Sequence, residues 1–221
     1  MKLAFPEIEK VFDTENGLYN TLIIEAPELY SRFLSDLQSG IEGKDCLSRL
    51  SVNDKKLEIK TNLEVINSFI PFEINKKQLV TKIVSALEKT ALSPEFYERS
   101  VRILGDIENL LYDVSFDFPC DLEFNSVEIG SLFKSAGIAV RDDYASTAEK
   151  VLDYMELTRE FERDKLFITV NMRSFIGDGE MERFSESLLS HGFSVLGIEN
   201  VERKLLEKEF RTVIDADLCE I

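Results

Sequence analysis

Asp121 and Glu123 stand two residues apart at the head of a stretch that runs to Gly137. In an extended segment side chains two apart point the same way. Paired carboxylates, joined by Glu128 or by backbone carbonyls, suit a hard, oxygen-preferring cation such as Ca2+. A solvated acidic turn would carry the same two residues. A metal-dependent nuclease built on Asp121 and Glu123 would need a tighter cluster, with more acids around paired metals. Ser126 to Ala136 then reads as a short amphipathic helix with Lys134 in its last turn. A cation there either compensates the helix dipole or meets a phosphate. Lys82 and Lys89 share one face of an earlier helix that begins near Lys76, with Ser85 and Ala86 between them. Small residues between lysines let a nucleic-acid backbone approach, and an ordinary exposed face looks the same.

Other chemistries find little support. His191 is the single histidine, and it ends a helical pattern with Gly192 behind it, a position that suits a capping cation. No second histidine is available as the base of a hydrolase triad. Cys46, Cys120 and Cys219 are far apart and form no Cys-x-x-Cys pair, so reduced, mostly buried thiols are expected rather than a zinc site. The first apolar strand ends at Ile24 and continues Glu25-Ala26-Pro27, without the glycines or the lysine of a phosphate-binding loop. Gly177-Asp178-Gly179 precedes a helix and could form a weak anion nest; a plain turn with a helix cap is the expected reading.

Net charge is −16, which by itself opposes nucleic-acid binding, because phosphate contacts need Lys and Arg to displace counterions. The distribution is uneven. Between residues 76 and 102, Lys76, Lys77, Lys82, Lys89, Arg99 and Arg102 face only Glu88, Glu95 and Glu98. Such an asymmetry marks either a nucleic-acid face on a repulsive exterior or a solvated helix surface. With 44% hydrophobic residues in 221 the chain can bury a sizeable core. No apolar run reaches the roughly 20 residues that span a bilayer, and Met1 to Pro6 lack a signal-peptide core, so a cytoplasmic protein without membrane contact is expected.

These residues must be held by a folded scaffold. Leu18 to Ile24 reads as a buried strand. Pro27 opens a helix with a Leu29, Phe33, Leu37 stripe that Gly40 can end. Cys46 to Ile66 is strand-like, broken by a turn at Asn53-Asp54. From Phe69 the pattern becomes helical. Asn75 can cap a helix to Thr90 with Leu79, Ile83 and Leu87 as its stripe, and Ser93-Pro94 starts another, with Phe96, Ser100, Ile103, Ile107, Leu110 and Leu111 on its apolar face. Ile138 to Val140 returns to a strand. Helices at 147–162 and 180–190 then alternate with strands at 165–171, 193–198 and 213–218. The reading is α/β: one discontinuous α/β domain, 1–68 and 138–221, with an inserted helical domain at 69–137.

The stretch from Asp121 to Gly137 resembles a segment of the CRISPR-associated DNA-end-binding adaptation protein of type II-A systems, in which Asp-Leu-Glu is followed by a helix closing on Leu-Phe/Ile-Lys and a glycine. The resemblance continues through Glu149-Lys150, Lys165-Leu166, Ile168, Val170-Asn171, Phe175, Glu180, Val195-Leu196, Glu199 and Ile214-Asp215-x-Asp217. Upstream it takes in Asn75 and the paired strands of Leu57 to Ile66. It implies a degenerate P-loop-like sheet flanked by helices as the head domain. It also implies a non-catalytic homotetrameric ring that loads on double-stranded DNA ends and works with the CRISPR integrase and effector proteins in spacer acquisition. Lys134, with Lys82, Lys89 and Lys76, would contact DNA, and Asp121 and Glu123 would hold calcium. Asn125, Ser126 and Ser131 stand where family members often have acids, so a weak calcium site is expected. The rival readings are a degenerate nucleotide-binding, ATPase-like α/β protein and the metal-dependent nuclease.

Overall fold

The computed structural model describes residues 1–162 and 164–221. The chain forms two compact units, one of Met1–Glu73 with Asp143–Ile221 and one of Ile74–Asp142.

The first unit is built on five parallel strands. In chain order these are β3 (Tyr19–Ile24), β6 (Leu63–Ile66), β7 (Leu166–Val170), β8 (Ser194–Glu199) and β9 (Glu209–Ile214), and in space they run β6-β7-β8-β3-β9. Every residue of β3 and β7 is buried, the signature of strands covered on both faces. A second, antiparallel sheet has the order β2-β1-β4-β5, from β1 (Lys2–Ala4), β2 (Phe12–Asp13), β4 (Arg49–Val52) and β5 (Lys55–Leu57). Asn53 and Asp54 both take positive φ between β4 and β5, as a two-residue hairpin turn demands.

Helix α1 (Pro27–Ile41) fills the core shared by the two sheets. Its Leu29, Phe33 and Leu37 stripe is buried with Leu3 and Phe5 of the small sheet's side and Leu22, Ile168 and Leu196 of the large one. The Phe5 and Phe33 rings lie 4.9 Å apart. The one-turn helix α2 (Ile59–Asn62) leads into β6, so the strand-like run from Cys46 splits between two sheets instead of forming one hairpin. Helices α6 (Thr147–Phe161) and α7 (Asp178–Ser190) bury Val151, Met155, Met181, Phe184 and Leu188. Ser146 caps α6 by accepting the Glu149 N–H, the expected role of a serine at that position.

The second unit holds α3 (Lys77–Ala91), α4 (Tyr97–Ser115) and α5 (Ile129–Ser135). Phe69 and Phe72 stay with the first unit, where their rings meet Phe175 and Tyr154, each at 5.4 Å; the change of sequence character at Phe69 therefore precedes the boundary. Asn75 does not cap α3. Lys76 stands at the N-cap position and its side chain makes no capping hydrogen bond, while the Asn75 amide donates to the Val140 carbonyl and its oxygen accepts the Val140 N–H. That two-point bond occupies the Val140 backbone, and Ile138 to Val140 forms no strand. The third helix is shorter than 126–136, beginning at Ile129. Among the described residues no helix is long and apolar enough to cross a membrane.

Candidate nucleic-acid interface

Helix α5 packs against α3, and two carboxylates fix its approach. Glu108 of α4 accepts the Val127 N–H at 3.3 Å. Glu88 of α3 lies against Gly130, where an added Cβ would sit 2.7 Å from a carboxylate oxygen. A negative charge beside a helix first turn is favoured by the dipole, so α5 is held with Lys134 in its exposed last turn. Lys89 is exposed in the last turn of α3. Lys82 was expected on the same open face; it is half-buried, as is Lys76, and neither is a free cation. Lys82 sits next to the Leu79 and Val84 side of the helix, which is the buried one.

Asp121 and Glu123 are exposed on a segment without regular secondary structure. Asp121 lines a concavity of about 650 Å3 with Asp113, Asp117, Tyr112, Phe116 and Phe118, and Glu123 is not among its walls. The acids nearest in purpose to Asp121 thus come from the end of α4 and the turn beyond it, a juxtaposition that i, i+2 spacing could not reveal. Among the described residues no three of His, Cys, Asp and Glu form a group able to hold a metal ion.

The apolar face of α4 is open. Phe96, Ser100, Ile103, Ile107, Leu110 and Val114 repeat at alternating steps of four and three, the spacing of a coiled-coil seam. Only Ser100 is buried; exposure reaches 59% at Leu110 and 63% at Val114. Leu87, expected in the α3 core, is 41% exposed. Phe116 and Phe118, beyond the end of α4, are exposed as well. Contiguous apolar exposure on this scale marks an interaction surface.

At the C-terminal end of the parallel strands, where α/β sheets bind ligands, β3 leads through Glu25 and Ala26 straight into α1, with Glu28 in the first turn and no glycine loop. A buried charge cluster links the turn after β7 to Glu209 and Arg211 in the first half of β9. The Arg173 guanidinium donates to Asp178 at 3.0 Å and to the Lys204 carbonyl at 2.6 Å, and stands 3.6 Å from Glu209. Arg211 clamps Glu209 through Nε and Nη2 at 3.0 and 2.9 Å. Asp178 therefore answers the expectation at Gly177-Asp178-Gly179: Gly177 is the N-cap of α7, and the charge beside that helix start is the protein's own. His191 ends α7 as a cap, with Nδ1 2.8 Å from the Ser187 carbonyl and Nε2 3.2 Å from Glu156. The thiols depart from expectation: Cys46 is half-buried, but Cys120 and Cys219 are exposed, because both lie in turns outside the regular elements.

Glu199 is buried at the end of β8, accepting the Arg173 N–H at 3.2 Å. Burial pushes its carboxyl up to about 7 from 4.5, against the opposing pull of Arg173 and Arg203 and with a smaller push from Glu209. The folded state thus keeps a proton that the unfolded chain releases above pH 4.5, so this group's contribution to stability falls as pH rises toward 7 and beyond. Glu199→Gln keeps an oxygen for the Arg173 N–H and cannot ionise. Its melting temperature relative to the parent should rise between about pH 5 and about pH 8. Parallel melting curves over that range would contradict the assignment.

The fold and this surface define a class, a parallel-sheet α/β protein with a helical unit that exposes cations and an apolar seam. The family model of CRISPR-associated protein (Cas_Csn2) matches residues 41–218, and the chain belongs to that family. CRISPR-associated protein Csn2 of Enterococcus faecalis is 21% identical over 216 residues, covering 97% of this chain and 95% of the relative. The solved structure of Stu0660 of Streptococcus thermophilus superposes with a TM-score of 0.58 at 13% identity, over 97% of this chain and 74% of that one, and so shares the fold.

Proposed function

We propose that this CRISPR-associated protein is a non-catalytic, sequence-independent binder of double-stranded DNA that enters at free ends, assembles as a homotetrameric ring, and acts beside the integrase and effector proteins in spacer acquisition. The observation that carries this reading is the combination, within one compact unit, of an unpartnered apolar seam on α4 with the exposed Lys89 and Lys134 of α3 and α5. The seam supports self-association. The lysines supply phosphate contacts, which position a duplex without reading its sequence.

Linear duplex should bind while a closed circle of the same sequence does not. Bulky groups on both termini of the linear duplex should then abolish binding in a gel-shift or fluorescence-anisotropy assay. Equal affinity for blocked and free DNA would remove the threading element and leave only side-on association.

Calcium forms a secondary part of the proposal. Asp121 and Glu123 supply at most a few of the roughly six to eight oxygens that Ca2+ takes, so the remainder must come from carbonyls, water or a second copy. A cation held only by the assembled form stabilises it by mass action. Asp121→Ala with Glu123→Ala should therefore erase any gain in melting temperature or oligomer mass that millimolar Ca2+ brings. If the unmutated protein shows no calcium response by either measure, the metal plays no part in assembly.

A further inference from the structure

We propose that the concavity between the end of α1, the β4–β5 hairpin and α2 binds a phosphate dianion, free or as a terminal monoester. This site lies in the α/β unit, apart from the lysines invoked above, and does not depend on the DNA-binding reading. The cavity is about 460 Å3, and its walls include Gly43, Cys46, Ser48, Arg49, Lys56 and Lys60. In a chain of net charge −16 these three cations gather in one hollow. Neither Lys56 nor Lys60 has an ion-pair partner among the described residues, and Arg49 meets no carboxylate there; the remaining lysine of the wall, Lys44, is paired with Glu42. Asp45 and Glu58 also line the hollow, leaving the cations in excess.

The site is built rather than incidental. Asp36 accepts the N–H groups of Leu47 and Ser48, at 2.5 and 2.9 Å, and so pins the loop. Arg49 Nη1 donates to the carbonyls of Cys46 and Ser48 at 3.0 and 3.3 Å. That bond fixes one edge of the guanidinium and leaves the rest of its fork for an oxyanion, which it matches in geometry. Gly43 holds a φ of +76, and a Cβ there would meet Lys60 Cδ at 3.1 Å and Nζ at 3.3 Å, so the missing side chain lets the Lys60 ammonium lie against the loop. Ser48 is 2% exposed and its hydroxyl has no hydrogen-bond partner. A buried hydroxyl without a partner is costly. Three cations gathered in one hollow suit a compact dianion. Such a group is carried by free phosphate, by a nucleotide, or by the 5′ end of a DNA strand.

Cys46 reports on occupancy. Its thiol is half-buried in the same wall, and burial raises its pKa, with Asp36 adding to the rise and Arg49 and Lys56 opposing it. The experiment is alkylation by iodoacetamide at mildly alkaline pH, followed by peptide mass spectrometry. Inorganic phosphate at millimolar concentration, with ionic strength matched by chloride, is expected to slow modification of Cys46 several-fold and leave Cys120 and Cys219 unchanged. Lys56→Glu with Lys60→Glu, both at exposed positions, should abolish the protection, with folding checked by circular dichroism. AMP, 5′-phosphorylated duplex and 5′-hydroxyl duplex then separate the sources: protection by the phosphorylated duplex alone among the DNAs assigns a DNA end, and protection by phosphate and AMP alone assigns a small molecule. No slowing of Cys46 by phosphate in the unmutated protein overturns the proposal, as does undiminished protection in the folded double variant. Either result leaves DNA binding through Lys89 and Lys134 untouched.

Discussion

Reversing the charge at Lys89 and Lys134 together is expected to lower affinity for linear duplex DNA by roughly a hundredfold at physiological salt. Both side chains are exposed, each in the last turn of its helix. In that position a lysine contributes only about 0.3–1 kcal/mol to the helix itself, so reversal should cost little stability. The effect on binding is larger because no base-reading contact is invoked, and the electrostatic term then supplies the affinity. A plot of log affinity against log salt should lose a slope of about 1 for each lysine, uniformly across DNA sequences. Lys82→Glu and Lys76→Glu are poorer tests, since both lysines are half-buried and engaged within the protein. A folded Lys89→Glu, Lys134→Glu variant with unchanged affinity and unchanged salt slope would mean that the duplex lies on another face.

The parts of this architecture that were legible in the sequence are those where burial on two sides leaves an unbroken apolar run. Leu22, Ile23 and Ile24 of β3 and Leu166 to Ile168 of β7 need no partner information to be read as central strands. Short strands gave no such signal: β1 and β2 span three and two residues. Asn75 shows how local chemistry misleads, because an asparagine before a helix suits a cap but here bonds Val140 across 65 residues. The sites were less legible than the fold for the same reason. Asp113 and Asp117 reach Asp121 only when the chain turns back after α4. Arg49, Lys56 and Lys60 converge only through the turn at Asn53-Asp54 and the short α2, while a count of charges along the chain points to 76–102 instead. Periodicity identifies which face of α4 is apolar; it carries no information on whether the cover comes from the same chain.

That uncovered face gives the second large effect. Leu110→Glu with Val114→Glu is expected to shift the protein from its assembled mass to that of a single chain, measured by light scattering or sedimentation. Both residues lie on the four-three repeat that starts at Phe96, and both are mostly solvent-exposed in the isolated chain. Covering the exposed part of each is worth about 1 kcal/mol. A two-fold contact uses each residue twice, so the pair contributes about 4 kcal/mol, or roughly a thousandfold in dissociation constant. Buried glutamates facing their symmetry mates would add a desolvation penalty. Because neither side chain is buried in the single chain, thermal unfolding of the dissociated variant should remain cooperative. A ring requires every contact to hold, so DNA retention dependent on free ends should disappear with the assembly, even though Lys89 and Lys134 are intact. Two outcomes would separate the claims: unchanged mass in the variant would show that α4 is not the contact, and reduced mass with undiminished end-dependent binding would show that threading needs no ring.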